Sequence, residues 1–148
     1  MVEDSKSIIK SKFVRKCPDL PGYQERLDRE LDLIVSKKFV HYILQVYEIL
    51  ELVGDIPHII RGSSGSSLTC WLLGITMIDP VANSICFSRF LNEFRNSMPD
   101  IDMDFPHNQR TKIFNKIFDK WDNVVRISNY VTYGDKGAIR QALKEMGV

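Results

Sequence analysis

The sequence predicts a mixed α/β fold of the α+β class, and three observations carry that prediction. Apolar residues recur at helical spacing in several segments, most clearly over residues 23–35 and in a stretch ending near Trp121. One segment instead has period two: Asp100, Asp102 and Asp104 alternate with Ile101, Met103 and Phe105. Between the helical segments, the apolar pair Ile59-Ile60 runs into a Gly/Ser loop that opens another apolar helix. With 148 residues, 44% hydrophobic and 26% charged, the chain can build one domain around its own core.

The bulk properties exclude several classes. A net charge of +1 gives no global attraction to a polyanion. The charges are segregated, however. Residues 1–16 carry five Lys/Arg against two Asp/Glu, residues 17–106 seven against thirteen, and residues 107–148 eight against four. An acidic centre between basic ends suits metal-dependent chemistry on a polyanion. Cys17, Cys70 and Cys86 are odd in number and widely spaced, which argues against a disulfide framework and a zinc site. A cytoplasmic setting is expected. No apolar run approaches the roughly 18 residues of a membrane span, and Ile8-Ile9 is too short for a signal-peptide core.

The elements follow in order. Residues 1–19 read as a basic, poorly ordered leader, closed by the breaker cluster Cys17-Pro18-Asp19-Leu20-Pro21-Gly22. Residues 23–35 read as a packing helix with Leu27, Leu31, Ile34 and Val35 inward. Glu25, Arg26, Asp28, Arg29, Glu30 and Asp32 are assigned to solvent, with Glu25–Arg29 a candidate i,i+4 pair. Residues 39–53 fit both periods: Val40, Tyr42, Leu44 and Val46 alternate, while Ile43, Val46, Tyr47, Leu50 and Val53 repeat helically. A strand running into a helix near Tyr47 accommodates both. Gly74 suits the position after a helix end, and Asp79-Pro80 starts a turn. The helix ending near Trp121 has Ile113, Phe114, Ile117 and Phe118 on one face, with Lys112, Lys116 and Lys120 on a solvated one. Residues 124–127 are a short strand candidate. Ala138, Ile139, Ala142, Leu143 and Met146 mark a last helix after Gly134.

Two segments carry chemistry. The first is Ser97-Met98-Pro99-Asp100-Ile101-Asp102-Met103-Asp104-Phe105. On a strand its three carboxylates share one face and repel each other. A divalent cation among them removes that cost, since Mg²⁺ takes oxygen ligands, typically one or two carboxylates with substrate phosphates. The second is Ile59-Ile60-Arg61-Gly62-Ser63-Ser64-Gly65-Ser66-Ser67, followed by an apolar helix. Glycine turns, a serine N-cap and the electropositive helix end make a phosphate cradle, to which Arg61 adds a bidentate contact. The loop has neither the Walker A nor the dinucleotide-binding spacing. A flexible linker and a solvated acidic strand are the plain alternatives.

Together with Phe87-Ser88-Arg89-Phe90-Leu91-Asn92, these two segments resemble the palm of C-family bacterial replicative DNA polymerases, the polymerase III alpha subunit. The resemblance extends from about residue 20 to the end, through the residue 23–31 segment, Leu73-Gly74-Ile75-Thr76, Thr132-Tyr133-Gly134 and Ala138-Ile139-Arg140. It implies a polymerase-β-like nucleotidyltransferase palm, a mixed sheet backed by helices, over residues 20–148. It implies templated addition of deoxynucleoside triphosphates to a primer 3′ end on DNA, with two Mg²⁺ ions. Asp100 and Asp102 match the catalytic, metal-binding carboxylates. Asp104 matches a third acid not usually assigned as a ligand. Arg61, Gly62, Ser63 and Arg89 match residues that hold the incoming triphosphate. The family's phosphoesterase, thumb and fingers domains and its third metal-binding aspartate have no counterpart in this sequence. The expectation is therefore a partial chain, inactive alone, that needs a second polypeptide to supply them. Ser66 stands where the family has glycine, Ile60 where another glycine is common, and Asp135-Lys136-Gly137 is shorter than the family segment. The other readings are a non-catalytic nucleotide- or DNA-binding module, and a self-sufficient two-metal enzyme using Asp119 or Asp122.

Overall fold

A computed structural model describes residues 2–127 and 130–147. Its six α-helices are α1 (Val2–Ser11), α2 (Tyr23–Ser36), α3 (Val40–Val53), α4 (Leu68–Leu72), α5 (Arg110–Lys120) and α6 (Asp135–Glu145). Two short strands, β1 (Ile59–Arg61) and β2 (Asp102–Asp104), pair antiparallel with Ile59 opposite Asp104, Ile60 opposite Met103 and Arg61 opposite Asp102. The fold is thus helix-rich α+β. The sheet expected from the resemblance is, among the described residues, this one pair.

The core forms where α1, α2, α3 and α4 bring their apolar stripes together. Leu31, Ile34, Ile43, Leu68 and Leu72 are fully buried, and Phe90 and Leu91 close the layer from the segment after α4. Ile60 and Met103, the inward residues of the two strands, pack against this cluster. Asp102 and Asp104 take the opposite, exposed face, as the period-two pattern requires.

Four readings are corrected. Residues 2–11 are not a disordered leader: Ile9 is buried in the core, and Lys6 pairs with Asp32 of α2 at 2.6 Å. Residues 40–53 are helical throughout, with no strand at the start. This helix packs on α1 on one side and α5 on another, so apolar residues are needed around much of its circumference and imitate alternation. Residues 124–127 form no strand, and Val125 and Ile127 are 80% and 95% exposed. Lys116 is only partly solvated: its ammonium donates to the Leu52 carbonyl at 2.8 Å, tying α5 to the end of α3. No helix among the described residues is long and apolar enough to cross a membrane.

α4 has only five residues, too few to persist unaided. Both of its ends are held by other elements. At its C-terminus Gly74 takes φ 75°, and the amides of Gly74 and Ile75 donate back to Trp71 and Cys70 in a Schellman motif. The amides of Val14 and Arg15 donate to the Leu72 carbonyl, and the Arg15 guanidinium donates to the Trp71 and Thr76 carbonyls. The segment after α1 therefore caps the helix behind the glycine–serine loop.

Candidate nucleotide- and metal-binding site

The site begins at the end of β1. Gly62 leaves the strand at φ 85°, ψ −156°, a backbone region open in practice only to glycine. The chain then turns through a single 3-10 turn, Ser63–Ser66. Ser67 caps α4, its hydroxyl accepting from the Cys70 amide at 3.1 Å. The strand pairing brings Asp102 beside this bend. A Cβ added at Gly62 would lie 3.7 Å from the Asp102 Oδ2. The glycine turn and the acidic strand are neighbours, as the chemistry requires.

The three acids do not share one environment. Arg61 forks onto Asp104, with Nε to Oδ2 at 2.5 Å and Nη2 to Oδ1 at 3.0 Å. That contact raises the Arg61 pKa. Both partners are substantially exposed, so solvent screens the pair and it adds little to stability. Asp100 and Asp102, by contrast, accept no hydrogen bond and close no ion pair among the described residues. Both are exposed. Both act on Tyr42 of α3: burial is the main cause pushing its phenol up, the Ile101 backbone opposes it, and the two carboxylate charges add to it. The structure thus leaves Asp100, just before β2, and Asp102, on it, without partners among the described residues, both near enough to act on Tyr42, and pairs the third acid with Arg61. No group of three or more His, Cys, Asp or Glu side chains that could hold a metal exists among the described residues. Two carboxylates are what Mg²⁺ takes when substrate phosphates complete its shell, so the donor set fits.

A cavity of about 360 Å³ lies beside the loop, lined by Gly62, Ser63, Gly65, Ser66, Thr76 and Arg89, with an apolar wall that includes Ile60 and Ile85. Three of the four expected nucleotide-binding residues, Gly62, Ser63 and Arg89, therefore line one cavity. Arg61 does not line it. Arg89 is carried by the 3-10 turn Phe87–Arg89, anchored by the buried Phe87, Phe90 and Leu91. The Thr76 hydroxyl, 3% exposed, has no hydrogen-bond partner. The Ser66 hydroxyl donates to the Ser63 carbonyl at 2.6 Å, closing the turn.

One expectation about the cradle is overturned. The electropositive end of α4 is already occupied. Glu30, fully buried, accepts from the amides of Leu68 at 2.9 Å and Thr69 at 3.0 Å and from the Ser67 hydroxyl at 2.8 Å. That helix end is therefore closed to any further anion.

Over residues 3–148 the sequence matches the family described as the bacterial DNA polymerase III alpha NTPase domain. The chain belongs to this family. It is 34% identical over 131 residues to the error-prone DNA polymerase of Mycobacterium tuberculosis, covering 86% of this chain and 12% of that one. It is 36% identical over 133 residues to the error-prone DNA polymerase of Pseudomonas syringae pv. syringae, covering 86% and 13%. It is 36% identical over 141 residues to the DNA polymerase III subunit alpha of Mycobacterium tuberculosis, covering 92% and 12%. The chain therefore spans 12% to 13% of the length of these relatives.

In this polymerase III alpha family member, sequence reasoning missed Arg26, Glu30, Tyr42 and Thr76. Glu30 gave a signal: it falls three residues after Leu27 and four before Ile34, on the apolar stripe itself. The pair that forms on α2 is Arg26–Glu30 at 2.7 Å, and Glu25–Arg29 is not among the ion pairs of the described residues. Tyr42 was obscured by the strand-like reading of α3. Thr76 falls in the Leu73-Gly74-Ile75-Thr76 segment of the resemblance, where nothing local marks its hydroxyl as buried.

Proposed function

We infer that this domain is the palm piece of a DNA-directed DNA polymerase, binding a deoxynucleoside triphosphate between the Gly62 turn and the acidic strand. The observation that carries this reading is the closeness of Asp102 to the Gly62 bend, beside a cavity that Gly62, Ser63 and Arg89 share. Asp100 and Asp102 would hold two Mg²⁺ ions, and the family membership supports that choice of metal. Bound there, Mg²⁺ supplies charge neutralisation and in-line alignment for phosphoryl transfer. The chain's own residues position the substrate. Loop groups at Gly62 and Ser63 and the Arg89 guanidinium hold phosphate oxygens, and catalysis is mostly preorganised electrostatics. Arg61 balances the charge of Asp104, and reaches a phosphate only after its exposed pair with Asp104 opens. Primer extension on a DNA template then needs further polypeptide to supply thumb, fingers and a third aspartate.

Electron paramagnetic resonance with Mn²⁺ in place of Mg²⁺ tests this. The wild-type chain should bind Mn²⁺ in a manner that depends on added triphosphate. Asp100→Asn and Asp102→Asn should each lose that binding. Unchanged Mn²⁺ binding in both variants would remove the metal assignment. Strong duplex binding, equal in all three proteins and with no Mn²⁺ site, would make the domain a non-catalytic DNA-binding module. Primer extension by the chain alone would contradict the need for a partner.

A further inference from the structure

The pair Arg26–Glu30 on α2, its arginine partly buried and its glutamate fully so, reaches several parts of the site's framework. Glu30 is 0% exposed and uses both carboxylate oxygens. Oε1 accepts from Arg26 Nε at 2.7 Å and the Leu68 amide, and Oε2 from the Ser67 hydroxyl and the Thr69 amide. Arg26 continues the network. Its Nη2 donates to the Ser66 carbonyl at 2.8 Å and the Ile85 carbonyl at 3.2 Å, and its guanidinium lies 5.3 Å from the Phe87 ring centroid.

These partners lie on separate stretches of chain. Ser66, Ser67 and Leu68 end the glycine–serine turn. Ile85 and Phe87 lead into Arg89. Ser66 and Ile85 are on the wall of the same cavity, yet nineteen positions apart in sequence. Nη2 serves both carbonyls while Nε of the same rigid plane holds Glu30, so the carboxylate and the two carbonyls are spaced together, which the single nitrogen of an ammonium cannot do. We propose that Arg26 and Glu30 are positioning residues, which together set the glycine–serine turn at a fixed distance from Arg89 and so size the phosphate space. This rests on the triphosphate reading of that cavity. The pair touches no substrate. It acts through Ser66, the start of α4 and the Arg89 segment.

The test compares Glu30→Gln and Arg26→Lys with Leu27→Ala, a neighbouring core truncation that weakens the fold but removes no hydrogen bond to the loop. Glu30→Gln keeps the shape but turns an amide donor toward donors. Arg26→Lys keeps the charge but loses the fork. Two readouts are taken at a temperature where all the proteins are folded: hydrogen exchange of the amides of residues 63–70, and affinity for Mg²⁺·dATP. Both polar variants should exchange those amides faster and bind the triphosphate more weakly by at least about tenfold, the factor expected for losing one charge-assisted hydrogen bond. Leu27→Ala should do neither. Exchange and affinity at wild-type values in both polar variants, or equal weakening in all three, would overturn the proposal. So would loss of the whole fold in both polar variants, which would make the pair a global rather than a local device. Faster loop exchange in a protein whose wild type binds no triphosphate would uphold the loop positioning and overturn the nucleotide reading instead.

Discussion

Gly62 is where strand, turn and acid meet. Its dihedral angles lie in a region that residues with a Cβ avoid at a cost of about 1–3 kcal/mol. The Cβ of an alanine would make only ordinary contact with Asp102, at 3.7 Å. Gly62→Ala should therefore lose about 1–3 kcal/mol in urea unfolding, all of it from backbone strain. Adding Asp102→Ala should recover none of that loss. Recovery would show that steric pressure on the acid, not the backbone, was the cause. Asp100, Asp102 and Asp104 were legible as one face of a strand because alternation is a local property. Their division into an unpartnered two and an ion-paired third was not. It depends on Arg61, which arrives from a strand some forty residues earlier in the chain.

At the scale of elements, α4 shows how a short helix can be specified from outside itself. Five residues cannot nucleate alone, but Glu30 satisfies its first amides and the 14–15 segment its last carbonyls. Gly74 was readable as the helix stop, and it has a second reason to be glycine. A Cβ there would lie 2.8 Å from Val14 Cγ2 as well as adopting φ 75°. Gly74→Ala should thus lose more than the roughly 1–2 kcal/mol of the left-handed conformation alone. Adding Val14→Ala should recover only the steric part, leaving about that residue of loss in thermal unfolding. Full recovery would mean the backbone conformation costs nothing. The α3 strand reading failed for a related reason. A helix packed on two sides needs apolar residues on both, and the sequence alone does not show that α1 and α5 flank it.

At the scale of the molecule, the order of chemistry-bearing segments was legible and their mutual support was not. The loop, the Arg89 segment and the acidic strand each carry a local pattern. The α2 pair that joins loop to Arg89 segment reads as solvated charge by residue type; the position of Glu30 on the apolar stripe hints at its burial, but only the closed fold shows what it caps. At the other extreme, α6 forms where its apolar spacing places it but buries none of its residues, leaving Ile139 and Met146 63% and 76% exposed. The core built from α1 to α4 is what presents Gly62 and Asp102 to each other. Calorimetric titration of Mg²⁺·dATP into the wild-type chain and into Asp102→Ala tests that juxtaposition most directly. Saturable binding by the wild type, weakened by at least about tenfold when the carboxylate is removed, is the expected result, given what a close charge–metal contact contributes. Equal affinity in the two proteins, or no binding by a folded wild type, would contradict it.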